Sequence, residues 1–344
     1  MLLGYNRQVP KEIDEWSGNM TKNIRIGLVG YGNIGKGVEL ALDNFPDMEG
    51  IAVFTRRNPE ELTSKLPAVS IDNILDYQDK IDVLILCGGS ATDLPQQGPS
   101  LAKYFSTIDS YDNHNHIPQY FKDMDLAAKT NDHVSIISVG WDPGLFSLNR
   151  AVLESVLPAG ETYTFWGKGL SQGHSDAIRR IDGVKAGVQY TIPIEKALEE
   201  VRSGSNPTLS TREKHERVCY VVAEEDADKG LIEKKIKTMP DYFEPYHTTV
   251  HFIDEETFAK EHQKMPHGGF VIRPATSATG NKQKAEFQLE LESNAEFTSS
   301  ILVAYARAAY RFKEDGKSGA FSVLDVPPAY LSSKSAEELR KELL

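Results

Sequence analysis

The stretch IRIGLVGYGNIGKGVELALDNFP, residues 24–46, decides the fold. Ile24 to Val29 is a short apolar run of the kind that forms a strand buried on both faces, and the residues after Asn33 turn to helical spacing before Pro46 stops them. Between them Gly30, Gly32 and Gly35 have the G-x-G-x-x-G spacing. The first glycine permits a tight turn, the second lets a pyrophosphate approach backbone, and the third lets helix pack on strand. The helix start offers free amides and a partial positive charge to phosphate. A strand, glycine turn and helix in this order predict a dinucleotide site that includes Tyr31, Asn33 and Ile34 along with the glycines.

The next strand, GIAVFTRR, carries the choice of dinucleotide. An acid at its end would accept hydrogen bonds from both ribose hydroxyls, but Thr55, Arg56 and Arg57 stand there. A carboxylate repels a 2′-phosphate, whereas guanidinium groups hold it through charge-assisted bonds and the threonine hydroxyl adds a donor. The expected cofactor is therefore NADP.

Further strands follow at IDVLILCGG, FSTIDSYD and HVSIISVGW, alternating with helical patterns, which predicts a Rossmann-type doubly wound parallel sheet. The strand-end segment Cys87, Gly88, Gly89, Ser90, Ala91 and Thr92 extends the expected cofactor contacts. After Trp141 the pattern becomes β-rich (TYTFWGKG, VKAGVQYTIP, RVCYVVA, HTTVHFID, AEFQLELE), as for a second α+β domain with a mostly antiparallel sheet. A long helix, FTSSILVAYARAAYRFKEDG, and the tail SGAFSVLDVPPAYL are expected to return to the first domain. The division is an appendage over 1–20, a dinucleotide-binding domain over 21–145 completed by 296–344, and a substrate-binding and dimerisation domain over 146–295.

A net charge of −12 argues against nucleic acid or an anionic membrane surface as the main partner, since both call for a basic face. No apolar stretch approaches the roughly 20 residues that span a bilayer, and the start has no apolar core behind positive charge. A cytoplasmic location is expected. Two cysteines, Cys87 and Cys219, build no disulfide framework and read as buried thiols in apolar runs. His114 and His116 lack the further ligands of a metal site, so no metal is expected.

Ligands of doubly wound sheets gather at the carboxyl ends of the strands, where Asp112 and Asp142 fall. A carboxylate pair beside a nicotinamide suits a cationic amine better than an alcohol. The blocks GLVGYGNIG, FTRR, CGGSATDLP, SYDNHNHIP, SVGWDPGLFSLNR, FWGKGLSQGHSDAIRRIDGV, VQYTIP, MPDYF, MPHGG and SGAFSVLDVPPAYL resemble the meso-diaminopimelate dehydrogenase family over roughly residues 20–330. That resemblance implies NADP-dependent, reversible oxidative deamination at the D-centre of meso-2,6-diaminopimelate, releasing ammonia, by a homodimer. It implies that Asp112 and Asp142 lie near the reacting ammonium, either being the base, and that Trp141 and Trp166 wall the pocket beside Gln172 and Gly173. Thr191, Arg217, His267 and Asn294 would hold the distant L-centre. The alternatives are a D-amino acid dehydrogenase of broader range and a noncatalytic NADP sensor.

Overall fold

The computed structural model describes residues 23–240, 242–262 and 264–344, so the expected 1–20 appendage lies outside the described residues. The chain divides into two compact units, one formed by residues up to Leu145 together with Thr298–Leu344, the other by Phe146–Phe297.

The first unit begins with β1 (Ile24–Val29), α1 (Asn33–Leu42), β2 (Met48–Thr55), β3 (Ala68–Ser70) and β4 (Val83–Leu86). It continues with α2 (Leu94–Ala102), β5 (Ser106–Asp109), α3 (Ile117–Lys129) and β6 (Val134–Ile137). Strands β4, β5 and β6 have no exposed residue, as expected where helices cover both faces of a parallel sheet. On one side of the sheet Val29, Phe54, Leu84 and Leu86 pack with Leu94, Leu101, Tyr120 and Met124.

The second unit holds α4 (Leu145–Val156), β7 (Tyr163–Trp166), β8 (Gly169–Leu170), α5 (Gln172–Arg179), β9 (Val184–Pro193) and α6 (Glu195–Arg202). After these come α7 (Thr211–Lys214), β10 (His215–Ala223), α8 (Lys229–Lys237), β11 (His247–Phe252), α9 (Glu255–Glu261), β12 (His267–Thr276) and β13 (Lys282–Leu291). The boundary between units falls inside α10 (Asn294–Glu314), and β14 (Gly319–Ser322) and α11 (Ala336–Leu343) end the chain.

The first unit's sheet has the order β14-β6-β5-β4-β1-β2-β3, with every pair parallel. From β1 the chain moves outward to β2 and β3 and then crosses to β4, so the order reverses between β1 and β4. Such a switch point opens a crevice at the strands' carboxyl ends. The expected Rossmann-type sheet is present, and the tail supplies its edge strand β14 beside β6. The short β3 is a strand for which the sequence gives no expectation.

The β-rich segments of the second unit form two sheets rather than the single one expected. One has the order β11-β10-β9-β8, antiparallel except for the parallel β10–β11 pair. The other, β13-β12-β7, is antiparallel throughout. Each has its own buried cluster: Ile178, Cys219, Val221 and Phe243 on the first, Phe165, Leu198, Val201 and Ile272 on the second. Among the described residues, no helix is long and apolar enough to cross a membrane.

Candidate active site

In the first unit the carboxyl ends of β1, β2 and β4 surround a cavity of about 320 Å³. Its lining includes Gly30, Tyr31, Gly32, Thr55, Arg56, Arg57, Cys87, Gly88 and Gly89 of the expected cofactor contacts. Asn33, Ile34, Gly35, Ser90, Ala91 and Thr92 do not line it. Gly35 instead lies beneath the turn, where an added Cβ would stand 2.3 Å from the Gly30 carbonyl oxygen. Gly30 itself has φ +93°, a left-handed conformation that side chains disfavour. A Cβ on Gly32 would meet nothing within 4 Å, so backbone is open toward the cavity. The turn therefore fits a dinucleotide pyrophosphate at the start of α1.

At the end of β2, Thr55 Oγ1 accepts from the Arg57 amide at 3.0 Å, and Arg57 Nη2 donates to the Tyr31 carbonyl at 2.8 Å. The arginine is thereby held against the glycine turn. Arg56 reaches across to Asp93, 2.8 Å away, with its own side chain 71% exposed. Asp93, which faces Arg56, and Gln97 are both in the lining and were missed by the sequence reading because nothing local marks them as cavity residues. The Cys87 thiol is pushed up to about 12 by burial, and Cys219, fully buried, also to about 12. Neither sulfur is a thiolate at neutral pH.

Asp112 follows β5 and is exposed; its amide donates to Ser90 Oγ at 3.2 Å, joining two of the predicted segments. Trp141 is buried and Asp142 half-buried, in the loop after β6, where Trp141 makes a bridge with Gly144.

The remaining predicted residues belong to the second unit. On neighbouring strands Gly169, Thr191 and Arg217 share one rung of the sheet. Arg217 Nη1 donates to Thr191 Oγ1. The Arg217 guanidinium lies 3.8 Å over the Tyr246 ring, only 6% exposed, and its Nε has no partner. Burial lowers its pKa, and no carboxylate pairs with it among the described residues. His267 packs against β8, where a Cβ on Gly169 would come within 2.5 Å of the imidazole. The Asn294 amide donates to the Met265 carbonyl at 3.2 Å, two residues before His267. Thr191 and Arg217 thus share a rung on which His267 packs through Gly169, and the backbone of Asn294, the first residue of α10, is tied two residues before His267. Gln172 opens α5, followed by the exposed Gly173.

Trp166 has a support that the sequence reading did not see. Its backbone amide donates to His215 Nε2 at 2.8 Å, and the two rings stack 5.2 Å apart. Burial lowers the His215 pKa to about 3, which keeps Nε2 an acceptor at neutral pH.

The parallel sheet, its switch point and the glycine-turned cavity define a dinucleotide-binding protein of Rossmann type. Residues 140–293 match the model of the diaminopimelic acid dehydrogenase C-terminal domain. The meso-diaminopimelate D-dehydrogenase of Ureibacillus thermosphaericus is 62% identical over 93% of this chain and 99% of its own. A multiply substituted meso-diaminopimelate dehydrogenase of Clostridium tetani, solved with diaminopimelate, superposes with a TM-score of 0.90 at 59% identity, covering 94% of this chain and all of that one (100%). An engineered D-amino acid dehydrogenase bound to NADP+ gives a TM-score of 0.85 at 44% identity, with 94% and 100% covered. The chain belongs to the meso-diaminopimelate D-dehydrogenase family.

Proposed function

We propose that this protein catalyses the reversible, NADP-dependent oxidative deamination of the D-centre of meso-2,6-diaminopimelate to L-2-amino-6-oxopimelate and ammonia. Membership of the family supports the reaction, and Arg56, Arg57 and Thr55 beside the glycine turn support the phosphorylated cofactor. When bound, NADP supplies the hydride acceptor. The carrying observation on the substrate side is Arg217, a buried cation with no carboxylate partner among the described residues. An unpaired buried charge is costly, so such a site favours a ligand anion.

Arg217 and Thr191, with His267 and Asn294, hold the carboxylate and ammonium of the L-centre, which never react. Because the substrate carries the same groups at both ends, this distant grip decides which carbon meets the cofactor. The family resemblance implies Trp141 and Trp166 as walls at the reacting end, with Gln172 and Gly173 along the same end. Asp112 or Asp142 takes a proton from the ammonium, since the nitrogen must offer its lone pair before the α-carbon can release hydride. Water then adds to the imine carbon, its oxygen becomes the carbonyl, and the nitrogen leaves as ammonia.

Residues 146–295 serve as the substrate-binding and dimerisation domain of a homodimer, as the family resemblance implies, and the protein works in the cytoplasm. The direct assay offers NADP and each of the three diaminopimelate stereoisomers to the purified protein while nicotinamide absorbance is followed. Turnover with the meso isomer alone is expected; equal rates with other D-amino acids would favour the broader dehydrogenase.

A further inference from the structure

We infer that Asp109, at the end of β5, is a positioning residue that sets the two candidate bases in one frame. Its carboxylate is fully buried and no basic side chain pairs with it among the described residues. Two of its three side-chain hydrogen bonds go instead to the segments around Asp112 and Asp142. Oδ1 accepts from the Tyr111 amide at 3.0 Å, directly before Asp112. The same oxygen accepts from the Ser138 amide at 3.1 Å, at the start of the loop that carries Trp141 and Asp142. Oδ2 accepts from the Tyr120 hydroxyl at 2.8 Å, and the Tyr120 ring stacks on Tyr111 with centroids 4.1 Å apart. The Asp109 carbonyl accepts from the Val139 amide at 2.8 Å.

The loop after β6 needs such an anchor. Ser138 has φ +57°, a left-handed conformation for a residue with a side chain, and its hydroxyl is buried without a partner. Conformations of that kind are costly and persist where surrounding bonds over-determine them. One oxygen receiving an amide from each loop couples their positions, so displacing the carboxylate displaces both loops together. Burial raises the Asp109 pKa to about 6 against the opposing pull of these donors. A buried carboxylate held at that cost, with one oxygen shared by the two loops and the other on the Tyr120 hydroxyl, has a geometric purpose.

This inference rests on the reading of Asp112 and Asp142 as the candidate bases, and the test separates the two. Asp109→Asn keeps an oxygen for both amides and can donate to the Tyr120 oxygen, so the tie survives without charge. Asp109→Glu keeps the charge but moves it by one methylene. Turnover, NADP affinity by fluorescence titration, and melting temperature are measured for both, with Asp142→Ala as reference. We expect Asp109→Asn to retain turnover within about fivefold and Asp109→Glu to lose roughly 30- to 100-fold, as a displacement near 1 Å does. NADP affinity should stay within about twofold for both. The opposite order would make charge the decisive property and overturn the inference, as would near-normal turnover in both variants. Joint loss of NADP binding, melting temperature and turnover would reduce Asp109 to a fold residue and also overturn it. Normal turnover in Asp142→Ala would instead remove Asp142 from the mechanism, whatever Asp109 does.

Discussion

Arg56 and Arg217 are both candidates to hold an anion, in opposite surroundings. Arg56 is 71% exposed, and Asp93 already balances its charge at 2.8 Å. Arg217 is 6% exposed, lies on the Tyr246 ring, and has no carboxylate beside it among the described residues. A solvated, internally paired arginine can exchange one anion for another at little gain, because water screens both states. A buried, unpaired one interacts with its ligand in a low dielectric and carries an energetic penalty until the ligand arrives. The first arrangement tunes preference between related cofactors, and the second selects whether a substrate is held at all.

The largest effect belongs to neither arginine: Asp142→Ala should cut turnover by on the order of 10³-fold, as loss of a general base does, while NADP titration changes little. Next is Arg217→Met, which should weaken meso-diaminopimelate by about 2–3 kcal/mol, roughly 30- to 150-fold in KM, because bonds to a charged ligand group are lost. The same change should raise the melting temperature by about 2–4 °C, since it removes an unpaired buried charge. A fall in melting temperature would mean that Arg217 stabilises the free protein, contrary to the contrast drawn here.

Smaller is the combined Arg56→Ala and Arg57→Ala change, for which NADP affinity should fall roughly tenfold with NAD affinity unaltered. An unchanged ratio of the two affinities would leave the arginines as mere surface charges. The smallest signal comes from pH. Burial puts the folded His215 at about 3, below its ordinary 6.5, so the unfolded chain binds a proton that the folded chain refuses. Stability from this group is complete above pH 6.5 and falls as pH drops toward 3, by up to about 1.4 kcal/mol per pH unit. Urea midpoints from pH 7 to 5 should show a shallower slope for His215→Gln than for the parent.

Much of this was legible in the chain because the decisive signals are local. The glycine turn, its strand and helix, and Thr55-Arg56-Arg57 lie within one short stretch, and the structure brings them to one cavity. The two-sheet division of the second unit was not legible, because alternation along VKAGVQYTIP or AEFQLELE gives a strand's faces without naming its neighbours. Three-residue β3 is too short for any period to register. Likewise, His215 under Trp166 and Asp109 beneath two loops depend on residues that only folding makes adjacent. Arg217 was legible through its motif alone; its burial, without a carboxylate partner among the described residues, is a property of the rung it shares with Thr191.

The edge strand β14 has a consequence for synthesis. Residues 319–322 complete a sheet whose other strands are finished by residue 137, and the whole second unit is made in between. During that interval β6, with Val134, Ile136 and Ile137 beside Ser135, presents an open border to solvent or to a chaperone. Synthesis of β14 is what closes it, so a truncation that removes residues 319–322 should yield aggregates rather than a weakened enzyme.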